Sequence, residues 1–314
     1  MPQVIFIRSG NFAPSPAHQP PKEYAMACTR KHLLITGTSS GIGKATMEAA
    51  LEAGYHVFAG DRSVEANEQP NDQDALTKLH LDITNDDDIA AAVEAITDHV
   101  GDAGLDGLAN IAGVGIPGPL ETLPVDSLRA SFAVDVFGQI ALTQPLLPLI
   151  RKAKGRIIFI GSIGDRVTIP FMGALTAAKS AIASLNDTLR QELAPWGIEV
   201  ILVEPGFIKT GANESSKALI DKVGENFTPE QAALYGETFK EFFAAGYKTQ
   251  EAGSPPEGVA EVILEALTAK HPTAHSLTGS KAHLMAAVGK LPAKVQDAGK
   301  RKAFDLPGKG EKGE

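Results

Sequence analysis

The sequence predicts an α/β fold built on one doubly wound parallel sheet. Short apolar runs alternate with longer stretches of helical spacing, a glycine-rich turn follows the first run, and the chain can bury a large core. Of its 314 residues, 43% are hydrophobic and 21% charged, which suits one large domain and excludes collagen-like, low-complexity and disordered chains. The strand candidates are Leu33–Ile35, His56–Ala59, Leu79–Leu81, Gly107–Ala109, Arg156–Ile160 and Glu199–Val203. Between them, Ile42–Ala53, Asp87–Val100, Val125–Ile150 and Met172–Leu193 carry apolar residues at helical spacing. Parallel strands need crossovers, and helices supply them on both faces.

The formal net charge of −9, from 29 basic and 38 acidic residues, argues against a nucleic-acid partner. Cys28 is alone, so neither an internal disulfide nor a cysteine metal cluster is expected, and a reducing, cytoplasmic setting fits. The histidines lack the fixed company of carboxylates or cysteines that a zinc site shows, and no metal is expected. No run reaches the roughly 18–20 apolar residues of a membrane span. Residues 1–30 read as a disordered extension with Met26 as an alternative start, residues 31–291 as the folded domain, and residues 292–314 as a flexible, mildly basic tail.

The first chemistry-bearing motif is Thr36-Gly37-Thr38-Ser39-Ser40-Gly41-Ile42-Gly43, between a strand and a helix. Glycines there let the backbone turn tightly and approach a pyrophosphate, and the helix N-terminus offers free amides. Asp61 ends the second strand about 20 residues on, where an adenine-ribose diol would lie. Dinucleotide binding follows. The Asp61 carboxylate would accept from both ribose hydroxyls and repel a 2′-phosphate, which favours NAD over NADP, whereas Arg62 turned inward would favour NADP.

The motif resembles the opening of the short-chain dehydrogenase/reductase family, and further marks recur in order. Leu81-Asp82-Ile83-Thr84 resembles the strand end whose Asp touches the adenine ring. Asn110-Ile111-Ala112-Gly113 resembles the Asn-Asn-Ala-Gly element, with Ile in second place. Gly161-Ser162 ends a strand where the family keeps its catalytic Ser. Pro205-Gly206-Phe207-Ile208-Lys209-Thr210 resembles the loop whose Thr holds the nicotinamide carboxamide. The stretch from Ser254 to Ala282 is similar to the hydroxysteroid and retinol dehydrogenase branch. The resemblance implies a Rossmann-type domain, a lipophilic alcohol or ketone substrate under a helical lid at about 211–253, and a homodimer or homotetramer. By the same matching, the cofactor-binding positions are Gly37, Ser39, Ser40, Gly41, Ile42, Gly43, Asp61, Arg62, Asp82, Ile83, Asn110, Ala112, Gly113, Lys179, Pro205, Gly206, Ile208 and Thr210.

Family catalysis rests on Asn, Ser, Tyr and Lys, with Tyr-x-x-x-Lys on one helix face. The Lys cation lowers the phenol's pKa so that it can pass a proton. Here Ser162 and Lys179 are in register, but the Tyr position is Leu175, which has no proton to give. Asp135 stands for the tetrad Asn. It either pairs with Lys179 or is a polar helix residue satisfied by some neighbouring cation or water. Asp165 stands where Gly is common. It is either catalytic or a solvated loop acid pairing with Arg166. Tyr235 and Tyr247 fall in the lid, where one could swing over the substrate or both could pack. Phe227, Phe239, Phe242 and Phe243 could wall a lipophilic pocket, pin the lid, or both.

Three functions stay open. One is an NAD(H) oxidoreductase in which Ser162, a water or Asp135 replaces Tyr. Another is a non-redox isomerase, lyase or cyclase using Asp135, Asp165 and Ser162. The last is a catalytically silent dinucleotide- or partner-binding protein, natural or made by mutation. Oxidoreduction leads.

Overall fold

The computed structural model describes residues 30–65, 71–73, 75–209, 213–304 and 306–308. The extension expected before residue 31, apart from Arg30, lies outside them, as do Thr210 and Gly211.

The strands are β1 (His32–Thr36), β2 (His56–Asp61), β3 (Asn71–Gln73), β4 (Leu76–His80), β5 (Gly107–Asn110), β6 (Arg156–Ile160), β7 (Glu199–Pro205) and β8 (His275–Thr278). They form one sheet in the order β3-β4-β2-β1-β5-β6-β7-β8. All neighbours pair in parallel except β3, a three-residue antiparallel edge beside β4. Alternate residues face opposite sides, so Leu34, Ile157, Phe159, Val200 and Leu202 enter one core while Leu33, Ile35, Ile158, Ile160, Ile201 and Val203 enter the other. Covering both faces explains why strands such as β2 are buried at every position.

The helices that supply these covers begin with α1 (Gly41–Glu52), α2 (Asp86–Val100), α3 (Val125–Phe132), α4 (Gln139–Ala153) and α5 (Gly173–Leu193). The rest are α6 (Asn213–Glu225), α7 (Pro229–Gln231), α8 (Glu237–Glu251), α9 (Glu257–Thr268), α10 (Ala282–Val288) and α11 (Ala293–Ala303). Their starts follow local chemistry. Asn85 caps α2 by accepting from the amides of Asp87 and Asp88, and three aspartates in the first turn complement the helix dipole. Inside α4, Pro145 and Pro148 sit on its exposed face, where water can satisfy the carbonyls they leave unbonded.

A π-helical turn, Ala133–Gly138, joins α3 to α4. The continuous helix Val125–Ala153 is long and apolar enough, by length and composition, to cross a membrane, although polar residues such as Asp126, Arg129, Asp135 and Gln139 interrupt its apolar runs. Half of its most apolar window is buried inside the fold, as in a core helix of the sheet's cover. The tail departs from expectation. Residues 293–303 are helical, with Lys300, Arg301 and Lys302 in the last turn, where the dipole favours cations. Phe304 and Leu306 then pack on the lid cluster of Phe239, Phe242 and Phe243. These two apolar residues in a polar segment anchor it.

Candidate active site

The chain reverses its direction of strand addition between β1 and β5, and open α/β sheets hold ligands at the C-terminal strand ends beside such a switch point. The glycine turn sits there. Gly37 and Gly41 have φ of +75° and +54°, and a Cβ on Gly43 would lie 2.0 Å from the Gly37 oxygen, so helix and turn approach as only glycine allows. Ser40 caps α1 without a side-chain bond, leaving the first amides for an anion. The cradle fits a dinucleotide pyrophosphate.

Asp61 is 7% exposed, and its carboxylate accepts from the Ser39 amide at 3.0 Å, the Ser63 amide at 2.9 Å and the Ser63 hydroxyl at 2.6 Å. Burial opposes its ionisation, but the Ser63 and Ser39 bonds outweigh it and hold the carboxyl below its ordinary pKa. Arg62 is exposed. Asp82, bonded by the Thr84 amide and hydroxyl at 2.8 and 2.6 Å, is likewise held low, chiefly by those bonds. Ile83 is 4% exposed.

After β5 the loop is held from below. The Thr36 hydroxyl accepts from the amides of Ile111 and Ala112 at 2.9 and 3.0 Å, and Gln139 donates to the Ala112 carbonyl at 3.1 Å. Asn110 serves the fold through its side chain. Its side chain is wholly buried and donates to Thr143 at 3.1 Å, so it ties β5 to α4 rather than facing the cleft. Sequence reading missed Thr36 and Gln139; their signal was a hydroxyl and an amide at buried positions of elements already recognised.

A cavity of about 380 Å³ opens beside this cradle. Ile42, Pro205, Gly206 and Ile208 line its cofactor side. Ile169, Met172, Ile220, Phe242, Phe243 and Phe304 form an apolar wall, and Gly161, Ser162, Leu175 and Lys179 lie between. Leu175 and Lys179 share one face of α5 through their four-residue spacing. Lys179 is 6% exposed; its Nζ donates to the Ile160 carbonyl at 2.9 Å and lies 3.3 Å from Asp135 Oδ1. One of its three N–H groups remains for a group in the cavity. The Ser162 oxygen accepts from the Gly164 amide at 3.0 Å, which leaves its O–H to donate. Phe171, with φ of +61°, meets Phe239 and Phe242 edge-on with ring centres 5.5 and 5.3 Å apart. Phe304, in turn, stacks on Phe242 at 4.8 Å.

Both candidate carboxylates lie behind this surface. Asp135 is 0% exposed and accepts from the Val114 amide and the Ser131 hydroxyl, each at 3.3 Å. It therefore pairs with Lys179 and does not line the cavity. Asp165 is neither solvated nor in the cavity, which corrects the expected solvation: its side chain is 4% exposed, while the expected pairing with Arg166 is present as a long contact of 4.0 Å between its Oδ1 and Arg166 Nε. Tyr235 turns to Glu121. Tyr247 lines the cavity, but its hydroxyl is buried without a hydrogen-bond partner, and burial pushes it up to about 12.

A family description, short chain dehydrogenase, matches residues 31–220. The chain belongs to the short-chain dehydrogenase/reductase (SDR) family. It is 35% identical over 278 residues to an NADPH-dependent 3-dehydrocapnine reductase of Ornithobacterium rhinotracheale, covering 85% of this chain and 95% of that protein. It is 32% identical to human retinol dehydrogenase 16, covering 81% and 82%. A solved short-chain dehydrogenase from Streptomyces avermitilis superposes with a TM-score of 0.68 at 27% identity, covering 88% of this SDR chain and 97% of that one. This SDR is thus of an oxidoreductase family whose fold binds a nicotinamide dinucleotide.

Proposed function

We propose that this SDR is an NAD(H)-dependent oxidoreductase for a lipophilic alcohol or ketone, working without the family's tyrosine proton donor. The observation that carries the reading is the convergence of Ser162, Lys179 and Leu175 on one cavity beside the glycine cradle. A bound nicotinamide supplies or accepts a hydride there. Ser162 can donate to the substrate oxygen. The Lys179 ammonium, fixed by Asp135 and the Ile160 carbonyl, can hold the nicotinamide ribose and the negative charge that develops as the carbonyl is reduced. With Leu175 where the phenol would stand, the proton comes from Ser162 or from water that Lys179 orders.

The ionised Asp61 carboxylate supports NAD over NADP, and the apolar wall from Ile169 to Phe304 supports a lipophilic substrate. The non-redox reading loses support, because among the described residues no Asp or Glu lines the cavity and a carbon-bound proton would meet no carboxylate base.

The test compares the wild type with Leu175→Tyr against a panel of lipophilic ketones and alcohols, following nicotinamide absorbance and product mass with NADH, NAD⁺ and NADPH. Cofactor consumption matched to product by the wild type, raised in Leu175→Tyr towards the 10²–10⁴-fold that positioned acid–base catalysis contributes, is the expected result. Turnover by Leu175→Tyr alone would show that the natural chain has left dehydrogenase chemistry.

A further inference from the structure

The short turn Ile163–Asp165 that follows β6 carries a carboxyl that the proposed reaction does not use. Both Asp165 oxygens are buried without a donor among the described residues. The adjacent guanidinium is spent elsewhere, since Arg166 Nε and Nη2 bond the two oxygens of Glu204 at 2.5 and 2.7 Å. Glu204, on β7, is 1% exposed. An ionised carboxylate buried without a donor is costly, whereas a protonated one has an O–H to give to a neighbouring carboxylate.

We propose that Asp165 is a positioning residue: its protonated carboxyl donates to Glu204 and braces the end of β6, carrying Gly161 and Ser162, against the end of β7, carrying Pro205 and Gly206. All four of those residues line the cavity. The Asp165 amide already donates to the Ser162 carbonyl at 3.0 Å. Its Oδ2 lies 3.2 Å from where a Cβ on Gly161 would stand, so the carboxyl packs on the strand end itself.

Burial, then the neighbouring Glu204 carboxylate, push the Asp165 carboxyl up to about 8, while Arg166 and the Ser162 backbone pull the other way. The two carboxylates flank one nitrogen, Arg166 Nε, which lies 4.0 Å from Asp165 Oδ1 and 2.5 Å from Glu204 Oε1. The charged groups around it come from several elements. Glu204 lies on β7, Arg166 follows Asp165, and His275 on β8 reaches Glu204 at 3.3 Å and Asp187 at 2.8 Å. Asp187 and Arg190, paired at 3.2 Å, lie on α5. Loss of the Asp165 proton sets two buried carboxylates against one guanidinium, and the brace becomes a repulsion.

The inference rests on the cavity binding a nicotinamide cofactor and on nothing about the substrate. NADH and NADPH are titrated into the full chain by fluorescence from about pH 6 to about pH 9.5. The wild type is expected to lose affinity above about pH 8, by up to tenfold per pH unit for one linked proton. Asp165→Asn, whose amide donates at every pH, is expected to stay flat. Infrared spectra at neutral pH are expected to show the C=O stretch of a protonated carboxyl in the wild type and to lose it in Asp165→Asn. Should that variant not fold, Asp165→Gly serves, with the band absent and affinity lower but flat. A missing wild-type band, or an affinity step that persists in either variant, overturns the proposal. If neither cofactor binds at any pH, the cofactor reading fails, and the infrared band with the pH dependence of the melting temperature decides the brace alone.

Discussion

Lys179 Nζ lies 3.3 Å from Asp135 Oδ1, and this cation and anion are 8% and 0% exposed. Removing one partner of such a buried pair strands the other without compensation. Asp135→Ala is expected to lower unfolding free energy by about 3–5 kcal/mol in urea denaturation. Asp135→Leu with Lys179→Met, apolar at both positions, is expected to cost less than the two single changes summed. An additive double variant would mean that the two charges act independently.

Gly43 packs α1 onto the turn at a distance no side chain tolerates. Gly43→Ala places a Cβ 2.0 Å from the Gly37 oxygen, so the turn must open. NADH affinity, read by fluorescence enhancement, is expected to fall at least tenfold, while the far-ultraviolet circular dichroism stays native. Gly258→Ala, where a Cβ meets nothing within 4 Å and the position lies outside the cavity, is the control and leaves affinity unchanged.

Asp61 sets cofactor choice under the proposed reading. The wild type is expected to bind NADH more tightly than NADPH, and Asp61→Ser to narrow or invert that ratio by removing the charge that repels a 2′-phosphate. The same carboxyl has its folded pKa depressed, so its contribution to stability is present above the unfolded carboxyl range near pH 4 and is lost as pH falls through the depressed value. Equal binding of the two cofactors by the wild type would remove Asp61 from this role.

His32 predicts a second, milder acid sensitivity. Its ring lies 5.9 Å from that of His56 and 5.6 Å from that of His99, and the latter two are 4.2 Å apart. Burial, with His99 adding and Asp106 opposing, lowers the His32 pKa. A depressed folded pKa means that stability is intact above about pH 6.5 and declines as pH falls below it. The melting temperature is expected to drop between about pH 7 and pH 5 more in the wild type than in His32→Phe, which keeps a ring at that place.

The parts of the molecule that were legible in sequence are those in which local chemistry and global fold agree. Strands buried on both faces read as apolar runs, and the glycine turn reads by itself because only glycine permits its geometry. β8 was hidden because His275-Ser276-Leu277-Thr278 is only half-buried and owes its strand to pairing with β7. α11 was hidden because its surface is polar, and two apolar residues beyond it decide where it goes. Asp165 could not be placed because the carboxylate facing it comes from a different strand. The pairing of Asp135 with Lys179 is one of the two readings the sequence allows, since both lie at register positions of a recognised pattern, and the structure selects it. Their burial was not legible, because it depends on Gly113, where a Cβ would sit 2.7 Å from Asp135 Oδ1.

The π-helical turn at Ala133–Gly138 holds one residue more than a regular helix would use over the same rise. A single-codon deletion there would improve the helix, restoring ordinary hydrogen bonding along its whole length. The flanking helices α3 and α4 would keep their phase, because the wide turn is what absorbs the surplus residue, but the side chains inside the turn, Asp135 among them, would be re-aimed relative to Lys179. Length, as well as composition, is therefore inherited at this position. A gap of one residue in this turn would mark a homologue in which the carboxylate beneath the lysine is aimed differently, even if every aligned side chain were the same.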